Sequence, residues 1–299
     1  MAVLLEPPVV TAQHDAPAGE LITHCQAEDD RTYELSARWP REHGLFGPVL
    51  ERWHNPLLAA EIIRQSALAV AHTGFAVPQG HRFLMWNLKY TLSPVGLRVG
   101  PAPTGLTVRI VCRDVKRAGA ELSSMRATAD LYRGTALIGR GETTFTCVSP
   151  QEYERLCGVN EPATDPAPGL PAPVSPPLVG RTDPADVLLA PTGTAGAWQL
   201  RVDRAHPVLC DPAADSVPGM ALMEAMRQGA QLAAGCGTVL SLDFASEFTR
   251  YVRFDRPALV TAEVIGSSHG GGVPVHVAVE QDGELAAFGT LQLQPVRSA

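Results

Sequence analysis

Two stretches of the chain are apolar on nearly every face once wound as helices. The first is AEIIRQSALAVAH, Ala60 to His72, interrupted chiefly by Glu61, Arg64 and Gln65. The second is MEAMRQGAQLAAG, Met223 to Gly235, where Glu224, Arg227 and Gln228 interrupt in the same relative places. A helix that is apolar all round belongs in a core and not on a surface. Asn55-Pro56 supplies an N-cap followed by a proline at the first helical position, and SVPGM opens the second helix near Pro218.

The segments around these helices are strand-like. Short β segments, TYELSARW and AWQLRVD, precede them, each followed by a loop holding a histidine. After the first helix come RFLMWNLKYTL, LTVRIVCRDV, AELSSMRATADLY and TALIGRGETTFTCV. After the second come FTRYVRFD, ALVTAEVIGS, VPVHVAVEQD and LAAFGTLQLQPV. Alternation and β-branched content predict strands in all eight. One buried helix with about five antiparallel strands per half is an α+β layout. A central helix wrapped by a curved antiparallel sheet is the hotdog arrangement, so the expected fold is a tandem double hotdog with its sheets joined edge to edge.

The polar positions show that the chain is written twice. A shift of 163 carries Arg38, Arg41, His43, Glu61, Arg64 and Gln65 onto Arg201, Arg204, His206, Glu224, Arg227 and Gln228. Polar identities at one constant offset are stronger evidence of duplication than apolar ones, which any two cores share. A period this long means two domains and not a solenoid. Nine prolines fall from Gly158 through Pro191, that residue included, a density that suits a semi-rigid linker. The expected division is therefore 1–158, a linker over 159–191, and 192–299.

Composition narrows the class. The chain has 299 residues, 45% of them hydrophobic and 18% charged, with a net charge of −7. That suits a globular protein of two domains and offers no chain-wide basic field for nucleic acid. The local basic run RIVCRDVKRAG is the exception, and Arg113, Lys116, Arg117 and Arg126 are its candidate docking charges. The six cysteines have no C-x-x-C spacing and read as reduced thiols. The start, MAVLLEPPVV, lacks a basic leader, and no apolar span reaches membrane length, so a cytoplasmic protein is expected. No metal and no cofactor are expected. Two hotdogs in one chain replace the usual homodimer, which leaves a monomer open.

Residues at i, i+3 and i+4 share a helix face, so each Glu-Arg-Gln set points one way. Buried charges need partners. One buried Glu–Arg pair reads as a tie between helix and sheet; two copies with matched upstream residues suggest a site. Glu224 and Glu61 are the candidate general bases. Arg227, Arg64, Arg201 and Arg204, with Gln228 and Gln65, are candidates for holding a phosphate. Gly219 and Met220, at a helix start, have free amides for an oxyanion. His206 and His43 are further candidates, although a loop histidine before a helix is as often structural. From the residues alone, acyl transfer, hydrolysis and non-catalytic acyl binding all stay open, and a dehydratase would need a His–carboxylate pair.

RWPREH, AEIIRQSALAVAHTGFAVPQGHRFLMW and DRAHPVLCDPAADSVPGMALMEAMRQGAQLAA resemble the signatures of the AfsA-like A-factor biosynthesis hotdog family. The resemblance covers both halves. It implies a double hotdog that transfers a β-ketoacyl group from an acyl carrier protein to the hydroxyl of dihydroxyacetone phosphate, a step toward γ-butyrolactone signalling molecules. By motif it points to Glu61, Glu224 and Arg227. The chain departs from the family pattern at Ser216, where a histidine is usual. Its first half has NPLL where the second has Pro-Gly, so the resemblance places the better oxyanion site in the second half.

Overall fold

The computed structural model describes residues 19–157, 169–210, 216–266 and 271–297. Two helices form where the apolar stretches predict them, α1 over Leu57–Phe75 and α3 over Gly219–Ala234. The side chain of Asn55 accepts the N–H of Leu57 at 3.1 Å, so α1 starts with the expected cap. Both helices end on a residue in the left-handed region, Ala76 and Gly235. A short α2, Pro150–Cys157, closes the first half.

Among the described residues twelve strands form one sheet. The first half supplies β1 (Ile22–Ala27), β2 (Thr32–Trp39), β3 (Arg82–Leu92), β4 (Thr104–Ala118), β5 (Glu121–Arg133) and β6 (Ala136–Val148). The second supplies β7 (Leu189–Pro191), β8 (Ala197–Leu200), β9 (Val239–Phe248), β10 (Ala258–Val264), β11 (Val273–Gln281) and β12 (Glu284–Pro295). Their order is β1-β2-β4-β5-β6-β3-β9-β12-β11-β10-β8-β7. Read inward from either end, the two halves follow the same sequence of equivalent strands, as a duplication requires. The halves meet at the antiparallel pair β3–β9, where Leu88 faces Ser246 and Tyr90 faces Phe244. Each helix lies against the inner face of its own half, and the apolar positions of helix and strands make one continuous core. No helix among the described residues is long and apolar enough to cross a membrane.

Two expectations are corrected. FTRYVRFD is not a strand: β9 occupies Val239–Phe248, and the chain beyond it turns away with one isolated bridge, Ser216 to Arg253. β12 continues past Ala287 to Glu284, but the N–H groups of Thr249 and Arg250 both fall on the single Ala286 carbonyl, so the regular ladder with β9 stops at Phe248 opposite Ala287. The stretch 159–191 is also more than a linker. Its described part contains two 3-10 turns, Pro176–Val179 and Pro184–Asp186, and the edge strand β7. Prolines fit such turns, and Pro191 fits an outermost strand, because neither place requires every backbone N–H in a ladder.

Candidate functional site

The two polar sets fold alike and differ in their surroundings. In the first half Glu61 accepts from Arg64 Nε at 3.0 Å, Arg64 Nη2 at 2.7 Å and Gln65 Nε2 at 2.8 Å. Gln65 also donates to the Gly19 carbonyl at 2.8 Å and accepts the Leu21 N–H at 2.9 Å. In the second half Gln228 does the same with Asp186 and Leu188, each at 2.8 Å. The repeated glutamine thus imitates a neighbouring strand for the segment entering each half, satisfying two backbone groups that burial would otherwise orphan.

The second set carries an additional cation. Arg227 donates to Glu224 through Nε at 2.8 Å and Nη2 at 2.8 Å, to Gln231 at 2.8 Å and to the Val179 carbonyl at 2.8 Å. Gln228 donates to Glu224 at 2.6 Å. Arg181, from the turn-rich segment between the halves, donates to Glu224 through Nε at 3.0 Å and to the Leu45 carbonyl of the first half at 2.5 Å. Its Nη2 lies 2.6 Å from Glu224 Oε1 without a well-directed hydrogen bond. All of these side chains are buried, and Glu224 is fully so. Burial by itself pushes the Glu224 carboxyl upward, but Arg181, Arg227 and Gln228 outweigh it and hold it at about 2.

The start of α3 is open compared with that of α1. No side chain caps it, and its first acceptor is the Pro218 carbonyl, taken by Leu222 N–H at 3.1 Å. The amides of Gly219, Met220 and Ala221 therefore precede the helical ladder. They lie about 4.5 to 7.5 Å along the helix axis from Glu224. A Cβ on Gly219 would lie 2.6 Å from Met85 Cε of β3, so only glycine gives this close approach without moving Met85.

Other predicted residues stand apart from these two sets. Arg201 donates to the carbonyls of Pro171, Pro184 and Val187, fastening the turn-rich segment. Arg204 lies over the Phe254 ring at 5.0 Å. His206 Nδ1 accepts the N–H groups of Val208 and Leu209, both at 3.1 Å, so its proton is on Nε2, which donates to Asp186 at 3.0 Å. His43 Nδ1 accepts the Phe46 N–H at 3.0 Å, which makes the repeated histidine a turn cap in both halves. The basic run is partly neutralised, because Arg126 pairs with Asp114 at 2.8 Å and approaches Glu142 at 3.6 Å.

Sequence reasoning missed three residues. Arg181 is hidden among prolines and has no counterpart in the 163-residue register. Tyr90, in β3, meets Ser241 across the junction of the halves at 3.1 Å. His54, just ahead of α1, is buried, lies 2.9 Å from Thr104 Oγ1 and is pushed down to about 4 by burial and then by Arg133. The pairing of Glu-x-x-Arg-Gln copies was the one usable signal, and none of the three shares it.

The family model for the A-factor biosynthesis hotdog domain matches twice, over residues 13–149 and 163–297. A 2-oxo-3-(phosphooxy)propyl 3-oxoalkanoate synthase of Streptomyces virginiae is 40% identical over 270 residues, covering 90% of this chain and 91% of the relative. A synthase of the same name from Streptomyces griseus subsp. griseus is 35% identical over 316 aligned positions, covering 98% of each. Among solved structures, the 12:0-ACP thioesterase from Umbellularia californica superposes with a TM-score of 0.55 at 10% identity, covering 88% of this chain and 94% of that one. An acyl-ACP thioesterase from Bacteroides thetaiotaomicron gives 0.55 at 10% identity, over 90% and 100%. At that identity the likeness is one of fold.

Proposed function

Because the chain belongs to the A-factor biosynthesis hotdog family, we propose that it transfers a 3-oxoacyl group from an acyl carrier protein thioester to the hydroxyl of dihydroxyacetone phosphate. The acceptor oxygen bonds to the thioester carbonyl carbon, the C–S bond breaks, and the carrier thiol leaves with the proton. The product is the phosphorylated keto ester after which the Streptomyces relatives are named.

One observation supports the second half as the seat of this chemistry: two guanidiniums, Arg181 and Arg227, converge on Glu224, on the helix whose start is uncapped. In the first half the Asn55 side chain already takes the first amide. The Gly219 and Met220 amides receive the negative charge that develops on the thioester oxygen. Arg227 and Arg181 take the acceptor phosphate, and Gln228 keeps the helix face in register with the incoming segment.

Glu224 at rest is a poor base, since its carboxylate is saturated with donors and held at about 2. An arriving phosphate competes for the guanidiniums and adds a like charge beside the carboxylate. Both effects raise its proton affinity. The base is therefore activated by the molecule whose hydroxyl it deprotonates, which disfavours water as the acceptor. In this reading Arg201, Arg204, His206 and His43 serve structure: Arg201 holds backbone carbonyls, Arg204 lies over Phe254, His206 bridges backbone amides and the Asp186 carboxylate, and His43 accepts the Phe46 amide.

The test is product mass after incubation with a 3-oxoacyl carrier thioester, with and without dihydroxyacetone phosphate. Ester formed only with the acceptor is expected. Free 3-oxo acid released at the same rate without it would replace acyl transfer by hydrolysis.

A further inference from the structure

Five arginines gather where the loop before α1 meets the loop after β3. Arg52 and Arg98 each hold the guanidinium carbon 4.8 Å from the centroid of the buried Trp53 ring. The two cations are therefore no farther apart than twice that distance. Backbone contacts fix them there. Trp53 bridges to Arg98, the Val99 N–H donates to the Arg52 carbonyl at 3.0 Å, and the His54 N–H donates to the Leu97 carbonyl at 2.7 Å. Arg133 Nη1 donates to the Arg98 carbonyl at 2.6 Å and to the Gly96 carbonyl at 3.2 Å, and Arg41 Nη1 donates to the Pro101 carbonyl at 3.1 Å. Arg38 stands at the adjoining end of β2, paired with Gly105, and lines an open hollow of about 400 Å³ with Ser36, Thr107 and Gly134.

Like charges gathered this closely repel one another and call for a counter-charge. Among the described residues none of the five arginines forms an ion pair. Glu42 and Glu51, in the same loop, are exposed and form none either. The basic run expected to supply docking charges is different, since Asp114, Glu121 and Glu142 stand on the same strands and Arg126 is engaged by two of them. A guanidinium laid on an aromatic face keeps its N–H edge available and loses little freedom when it meets a carboxylate. The loop that carries Arg41 and Arg52 also touches the second-half set, because its Leu45 carbonyl accepts from Arg181, the arginine that donates to Glu224.

We propose that this arginine cluster is the docking surface for the acidic face of the acyl carrier protein that delivers the thioester. The inference rests on the reading of the chain as a carrier-dependent acyltransferase. With a net charge of −7 the chain as a whole repels an acidic partner, so productive encounter requires a local excess of positive charge. Forked guanidiniums suit carboxylates in particular. The cluster sits at one junction of loops and does not run as a stripe, which suits a compact protein face and not a nucleic-acid strand.

The association rate of a bacterial fatty-acid acyl carrier protein, in its holo form, with the full chain tests the proposal at low and high salt. Wild type is compared with Arg52→Glu/Arg98→Glu and with Lys116→Glu/Arg117→Glu in the basic run. The first variant is expected to associate about tenfold more slowly at low salt, with a flatter salt dependence. The second is expected to stay within about twofold of wild type, as for charges outside the contact. A rate for the first variant within about twofold of wild type overturns the proposal. So does an equal fall in the second variant, or a wild type that does not bind the carrier. A nucleic-acid duplex that binds more tightly than the carrier and is lost with the first variant also overturns it. Should the first variant not fold, Arg38→Glu/Arg41→Glu, at two exposed arginines of the same cluster, carries the comparison with the same expected fall. A wild type that binds the carrier through the cluster but forms no ester sinks the acyltransferase reading and leaves the docking surface standing. One that makes ester from a small 3-oxoacyl thioester and dihydroxyacetone phosphate without binding the carrier does the reverse.

Discussion

Arg181 and Glu224 are 43 residues apart along the chain, yet their side chains approach to 2.6 Å in a fully buried contact. The arginine also reaches the Leu45 carbonyl, so one side chain ties together α3, the segment between the halves and the first half. Removing it leaves an acceptor without its donor and Glu224 with one guanidinium. Arg181→Met should lower the unfolding free energy by on the order of 3 kcal/mol. Arg181→Met/Glu224→Gln should lose less than the sum of the single changes, because the residues share one network. Urea denaturation of the four proteins checks both statements.

The two acidic copies should differ in consequence. Glu224→Gln is expected to cut ester formation by about a hundredfold or more, the range for loss of a general base. Glu61→Gln should reduce thermal stability while leaving the turnover of the folded protein within about a few-fold, as expected of a tie outside the chemistry. Steady-state rates measured below each variant's melting transition decide it. Full activity in the Glu224 variant would move the site elsewhere.

Acid should destabilise the fold in two stages. His54 is held at about 4 against 6.5, so the unfolded chain binds the proton first. Its contribution is present above pH 6.5 and is lost as pH falls toward 4. Glu224 is held at about 2 against 4.5, and its contribution is present above pH 4.5 and lost as pH falls toward 2. Urea midpoints followed across pH should therefore fall in both windows. His54→Gln should flatten the upper one and Glu224→Gln the lower.

The duplicated histidines should prove structural. His206→Ala leaves the Val208 and Leu209 amides without an acceptor, and a loss of about 2 kcal/mol is expected. His43→Ala, with one amide at stake, should lose about half as much. Neither should change kcat in the folded protein. A large fall in kcat without a fall in melting temperature would return His206 to the mechanism.

By itself the sequence determined the duplication, the two buried helices and most strands. These follow from local periodicity, and polar residues repeated at a constant offset survive in any structure the chain adopts. It also determined that each Glu-Arg-Gln set shares a face, because helical geometry requires that of i, i+3 and i+4. Only the tertiary structure decided how the two sets differ. Arg181 comes from a proline-rich stretch with no periodic signal, and its approach to Glu224 depends on where the 3-10 turns place it. Strand β9 and the loop after it were distinguished by where regular pairing with β12 stops, a non-local fact. Tyr90 and Ser241 are ordinary inward positions on their own strands. They become a pair because the halves join through β3 and β9, and an edge-to-edge pairing is set by the packing of both sheets and not by either strand's residues.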